Sequence, residues 1–138
     1  MLVVLDTNVF LVSISKGFKY RPILDGILNK KYELLISNEI LTEYEEIIGE
    51  KTSPIVVHNM LEMLTTRSNV QKIDVYYRWS LIGADKDDNK FADCAIAGNA
   101  DFVVSDDNHF KVITDNEFPR LSLLRADDFL QKLQSPEN

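Results

Sequence analysis

Cysteine is nearly absent from this chain: Cys94 is the only one in 138 residues, so no disulfide can form within it and a reduced, cytoplasmic setting is expected. With four prolines and five glycines there is no low-complexity tract, linker or internal repeat. No apolar run approaches the roughly 20 residues that span a bilayer, and no basic segment precedes an apolar stretch at the N-terminus, so no membrane association is expected. One cysteine and two histidines offer no zinc-type cluster. Positive charge is also scarce, with 15 Lys and Arg against 22 Asp and Glu and a net charge of -7. That balance argues against a nucleic-acid partner, because phosphates are held chiefly by Lys and Arg. The objection weakens if several acids are metal ligands, since bound divalent cations cancel their charge locally.

What the chain does have is apolar residues, 45% of the total, enough for one ordinary core at this length. A single domain over residues 1–134 is expected, followed by a polar tail at 135–138. Residues 2–5, 34–36, 102–104 and 121–124 are short apolar runs that suit buried strands, and 70–75 reads as a further extended segment. Between them lie helical patterns: Asn8–Ile14, a helix opening near Pro22, Glu39–Ile48 with Ser37 and Asn38 before it, and Ser53 or Pro54 to Thr66. In the fourth, Val57, Met60, Leu61 and Leu64 are the expected buried positions. Phe91, Ala92, Ala95 and Ile96 then share a helical face of mostly small residues ended by Gly98, and Ala126–Leu133 closes the chain. Strands alternating with helices imply an α/β fold with helices on both faces of a mainly parallel sheet.

Four acids occupy matching places in that pattern. Asp6 and Asp107 follow apolar strands, while Glu43 and Asp88 lie on or at the start of helices. In an open α/β sheet ligands bind beyond the carboxyl ends of the strands, where distant acids can share an ion. Oxygen ligands of this kind suit Mg²⁺ or Mn²⁺. Taken singly each signal has a plainer reading. Asp6-Thr7-Asn8 is a helix cap, Glu43 a solvated helix carboxylate, residues 85–89 a polar turn with an N-cap, and Asp106-Asp107 a turn.

The segments around these acids carry a resemblance. Val3 to Val9, Asn38 to Tyr44, Asp85 to Gly98 and Ala100 to Asp107 resemble PIN-domain nucleases, and Pro119 to Leu130 resembles the family's closing strand and helix. The similarity is greatest to the bacterial PIN-family toxin components of toxin-antitoxin systems, the VapC type. It implies a three-layer α/β/α fold, Mg²⁺- or Mn²⁺-dependent cleavage of RNA, a cognate antitoxin as partner and often homodimerisation. The family's four acids fall on Asp6, Glu43, Asp88 and Asp107, with Asp93 in reserve for the third. Thr7, Asn8 and Ser105 fall on positions that orient the carboxylates and bound water. Ser105 stands where the family has threonine, which keeps the hydroxyl. The alternatives are a PIN-like module without catalysis that binds RNA or a protein, and a nuclease acting on DNA.

Other motifs fail. An aspartyl-phosphate phosphatase requires a second aspartate where Asn8 stands, and a calcium loop starting at Asp85 would need Gly and Glu where Lys90 and Ile96 stand. Neither His58 nor His109 is expected to be a ligand, although His109 lies near enough to the last acid to touch RNA. Cys94 reads as packed core. Tyr76, Tyr77 and Trp79 read as packing residues with base stacking as the rival role. Lys16, Lys19 and Arg21 form the densest basic cluster, either a guide for a phosphate backbone or a solvated loop.

Overall fold

The computed structural model of the chain describes residues 1–83, 86–115 and 118–135, with the side chains of Lys86 and Asp115 excepted. Among these residues five strands form one wholly parallel sheet in the order β3-β2-β1-β4-β5. They are β1 (Leu2–Leu5), β2 (Glu33–Ile36), β3 (Val70–Lys72), β4 (Phe102–Val104) and β5 (Leu123–Leu124). Among the described residues six α-helices flank the sheet: α1 (Thr7–Val12), α2 (Arg21–Leu28), α3 (Asn38–Lys51), α4 (Pro54–Thr66), α5 (Asn89–Ala97) and α6 (Ala126–Gln134). The expected α/β/α architecture is therefore present. Among the described residues no helix is long and apolar enough to cross a membrane.

The central strand is apolar because both of its faces are covered. Val3, Val4 and Leu5 are fully buried, as are Leu34 and Leu35 of β2 and Val103 and Val104 of β4. Burial of each such side chain contributes about 1.5–3 kcal/mol. The chain winds from β1 to β2 to β3 on one side, then returns to lay β4 against the other side of β1. The reversal creates a switch point at the carboxyl ends of β1 and β4, where an open parallel sheet leaves a crevice.

Helix starts follow local chemistry. The hydroxyl of Ser37 accepts the amide of Ile40 at 3.3 Å and starts α3, and Ser53 does the same for Val56 at 3.4 Å in α4. Helix α5 lies close on the sheet through Phe91, Ala92, Cys94 and Ala95, all buried. A Cβ on Gly98 would lie 2.7 Å from Leu35 Cδ1, so any larger residue at the end of α5 would have to displace that side chain.

Several boundaries differ from those read in the sequence. The extended segment expected to run to Val75 pairs only over Val70–Lys72, and the last strand only over Leu123–Leu124, because each is an edge strand with a single neighbour. Helix α3 runs on to Lys51, and α1 stops at Val12 rather than Ile14. In α4 the buried residues are Met63 and Leu64; Val57, Met60 and Leu61 are only half-buried, since this helix lies at the margin of the core. A 3-10 segment, Asn108–Asp115, follows β4 and buries Phe110 and Ile113. Asp85 and the tail residues 136–138 lie outside the described residues.

Candidate active site

Asp6 is the first residue after β1 and is 6% exposed. Its backbone N–H donates to Val104 O at 3.0 Å, which ties the end of β1 to the end of β4. It stands at the N-cap of α1 but makes no side-chain capping bond into that helix. Instead Asp6 Oδ2 accepts from the Ser105 hydroxyl at 2.8 Å, and Ser105 Oγ in turn accepts the backbone N–H of Asp107 at 3.0 Å. One buried hydroxyl thus links the first and last of the four acids. Burial raises the pKa of Asp6; the Ser105 bond and the Thr7 amide oppose the rise, and the charges of Asp107 and Glu43 add to it.

Glu43 arrives from α3. Its neighbour Tyr44 is fully buried, stacks on Phe10 with ring centroids 4.6 Å apart and donates its hydroxyl to Leu5 O at the end of β1. That anchor brings Glu43 to the same sheet edge. Glu43 Oε2 accepts a hydrogen bond from Thr7 Oγ1, and Oε1 lies 2.9 Å from Lys90 Nζ.

Asp88 is buried at the N-terminus of α5, where the helix dipole favours a carboxylate. Asp107 Oδ1 accepts the backbone N–H of His109 at 2.9 Å, and that turn places His109 Nδ1 3.4 Å from Asp107 Oδ1 and 3.7 Å from Asp88 Oδ2. Asp88, Asp107 and His109 each present a ligand atom within 4.8 Å of the others. Two carboxylates at that separation repel by on the order of 3 kcal/mol at an effective dielectric near 20, less where water reaches Asp107. The hard carboxylate oxygens of Asp88 and Asp107 fit a divalent cation of the Mg²⁺ or Mn²⁺ type.

The structure therefore brings Asp6, Glu43, Asp88, Asp107, Thr7 and Ser105 to one sheet edge. Asn8 is exposed and lines, with Asp6, Val9, Val12, Asp106 and Asp107, a cavity of about 300 Å³. On the other side Glu43 and Lys90 open on a cleft of about 420 Å³, lined also by Asn38, Glu39, Thr42 and Asp87. A larger depression, about 620 Å³, lies between α3 and α4 and includes none of the four acids.

The neighbouring acids are occupied elsewhere. Asp93 Oδ1 accepts the backbone N–H of Trp79 at 3.0 Å, so it fastens the irregular segment before α5 rather than joining the cluster. Burial raises its pKa, opposed by the Trp79 amide and Arg78. Asp106 Oδ1 accepts the first amide of α6, from Ala126, at 2.9 Å.

Two residues that the sequence reading passed over or set aside lie in the cluster. Lys90 carries a side chain 13% exposed against Glu43. Its signal was available: a cation in the first turn of α5 opposes the helix dipole and calls for a compensating partner. His109, expected outside the ligand set, comes within reach of it through the Asp107 turn, whereas His58 is on the exposed face of α4 beside Glu62.

Of the basic cluster, Lys19 pairs with Asp127 at 2.8 Å and Arg21 with Asp25 at 2.9 Å, both already neutralised. Cys94 is buried, and burial lifts its thiol to about 12, which suits packing and not nucleophilic work. Tyr76 and Tyr77 are exposed, while Trp79 is half-buried between Tyr77 and Phe118 with centroids at 4.7 and 5.8 Å.

Comparison with known proteins bears on what this edge is. A family model described as PIN domain matches residues 2–109, a span that includes all four acids. The chain belongs to the PIN-domain family. This PIN domain is also similar in fold to a chain in the crystal structure of VapBC2 from Rickettsia felis bound to a DNA fragment from their promoter. That match has a TM-score of 0.61 and 23% identity, and covers 91% of this chain and 98% of the other. No curated protein sequence matches it significantly. PIN domains are a family of nucleases, and the switch-point crevice of this one holds the acids that the resemblance assigned.

Proposed function

We propose that this PIN domain, acting as a single unit over residues 1–134, is a divalent-metal-dependent endoribonuclease that hydrolyses RNA phosphodiester bonds. Asp6, Glu43, Asp88 and Asp107 form its acidic centre. The observation that carries the reading is the Ser105 bridge, which joins Asp6 to Asp107 beside Asp88 and His109 in a family of nucleases. When bound, Mg²⁺ or Mn²⁺ supplies charge neutralisation at phosphorus and lowers the cost of deprotonating the attacking water.

The protein's own groups prepare that chemistry. Ser105 holds the Asp6 carboxylate by its hydroxyl, so the oxygen it does not touch keeps one direction. Thr7 fixes one oxygen of Glu43, and its position one residue after Asp6 couples α3 to the strand end. Asn8, at the rim of the cavity beside Asp6 and Asp107, is placed to touch a backbone oxygen or ribose hydroxyl of a bound strand. His109 covers the outer side of Asp88 and Asp107.

The biological role we propose is the toxin of a toxin-antitoxin pair, restrained by a cognate antitoxin protein, with homodimerisation as its assembly and the cytoplasm as its location. The resemblance to VapC-type toxins and the likeness of fold to a VapBC2 chain support this.

Asp6→Asn should abolish Mn²⁺-dependent cleavage of single-stranded RNA while leaving the circular dichroism spectrum intact. Undiminished cleavage by the purified variant would sink the mechanism. Mn²⁺ binding by the wild type without cleavage of any RNA would instead point to a binding module, and equal or faster cleavage of matched DNA would reassign the substrate.

A further inference from the structure

Lys90 occupies the second position of α5, where the positive end of the helix disfavours a cation. Its side chain is nonetheless mostly buried, with Nζ 2.9 Å from Glu43 Oε1 and 5.7 Å from the centroid of the Phe91 ring. A buried ammonium is tolerated only where its charge is met, and Glu43 meets it. The second oxygen of Glu43 accepts the Thr7 hydroxyl, so both oxygens of this carboxylate already have donors from the protein. The ligand atoms that lie together, within 4.8 Å, belong instead to Asp88, Asp107 and His109, with Asp6 tied to Asp107 through Ser105.

We propose that Lys90 is the protein's own second cation: its ammonium stands beside Glu43 where a second divalent ion would otherwise be held, and the chain binds one divalent ion, on the Asp6, Asp88 and Asp107 side. This rests on the reading of the acids as a divalent-metal centre and fixes the number of ions in it. Two-metal nucleases place a positive charge near both the attacking and the leaving oxygen. Here an ammonium with three N–H donors stands beside Glu43 in place of one of those ions. Lys90 lines the cleft of about 420 Å³ with Glu43, and its charge there is already met by that carboxylate. Lys90 is thus a positioning residue for Glu43.

Titration of the full chain with Mn²⁺, followed by the electron paramagnetic resonance of free Mn²⁺ and by calorimetry, tests this without relying on activity. One ion per wild-type chain is expected. Lys90→Arg should keep one, whereas Lys90→Met should free Glu43 and raise the count to two. Glu43→Gln, whose amide oxygen can still accept from Lys90, should keep one ion with affinity within about threefold of wild type. Two ions on the wild type, an unchanged count in folded Lys90→Met, or loss of the ion in Glu43→Gln would each overturn the proposal. If Lys90→Met does not fold, the wild-type count and Glu43→Gln still decide it. A wild type that binds no Mn²⁺ would overturn the divalent-metal reading itself, and this inference with it.

Discussion

On one side of the site Glu43 gives one oxygen to a hydroxyl and the other to an ammonium, and its charge is matched by the chain itself. On the other side Asp6, Asp88 and Asp107 gather with a single hydroxyl and an imidazole, and the charges of Asp107 and Glu43 help to raise the pKa of Asp6. Both sides draw on the same sheet edge and the same helix, α5, which carries Asp88 at its N-cap and Lys90 two residues on. The difference teaches where stability and function part. The Glu43 side is arranged as a folded protein normally arranges a partly buried charge, while the aspartate side keeps like charges together at a cost that a cation bound there would remove.

The largest break in this comparison comes from the aspartate side. Asp107→Asn should lower RNA cleavage by about 10³-fold or more, equivalent to ~4 kcal/mol of transition-state stabilisation, in a single-turnover assay. Glu43→Gln should lower it far less, and equal losses would erase the distinction between the two sides.

Ser105→Ala removes the hydroxyl shared by Asp6 and Asp107. Mn²⁺ affinity should fall by about 10- to 100-fold by calorimetry, the range for groups that orient a ligand. A smaller effect, opposite in sign for stability, belongs to Asp6→Asn without metal. Neutralising a carboxylate that is buried beside two others should raise stability by about 1 kcal/mol and the melting temperature by about 3 °C in chelator. An unchanged or lower melting temperature would show that the like charges cost nothing.

Asp93 supplies the smallest test, a control outside the cluster. Its folded-state pKa is raised by burial, so the native protein holds this proton more tightly than the unfolded chain does. Ionising Asp93 therefore costs stability, and the cost grows as pH rises from the ordinary aspartate value of 3.8 through the raised native pKa. Asp93→Asn should be more stable than wild type by a few tenths of a kcal/mol at pH 7, with the gain vanishing below the unfolded pKa. Urea unfolding at several pH values would check this, and Mn²⁺ affinity should stay at the wild-type value. A drop in affinity would return Asp93 to the site.

Much of the fold was legible because its signals are local. Leu2–Leu5, Leu34–Ile36 and Phe102–Val104 are apolar runs between polar residues, and Ser37 and Ser53 announce the helices they cap. The edges were less legible: Ile73 to Val75 is as apolar in pattern as a strand, but β3 ends at Lys72, with one further backbone bond from the Ile73 N–H to Ile36 O. In the site, Asp6 and Asp107 could be placed because a strand end fixes the direction of the next residue. Asp88 and Asp93 could not be separated by composition, yet at five residues apart they point about 140° from one another around a helix. Only the packed orientation of α5 decides which faces the crevice. The Lys90–Glu43 pair joins residues 47 apart in sequence and His109 depends on a 3-10 turn, so neither partner could be named locally, although the place of Lys90 in the first turn of α5 signals that it needs one.

The most direct test of the claim that the aspartate side requires a cation is the melting temperature as a function of Mn²⁺ concentration, in wild type and in Asp107→Asn. The wild type should be stabilised progressively, by about 2.7 kcal/mol at a hundredfold excess over the dissociation constant, and Asp107→Asn should not respond. A wild-type melting temperature indifferent to Mn²⁺, or an equal rise in Asp107→Asn, would contradict it.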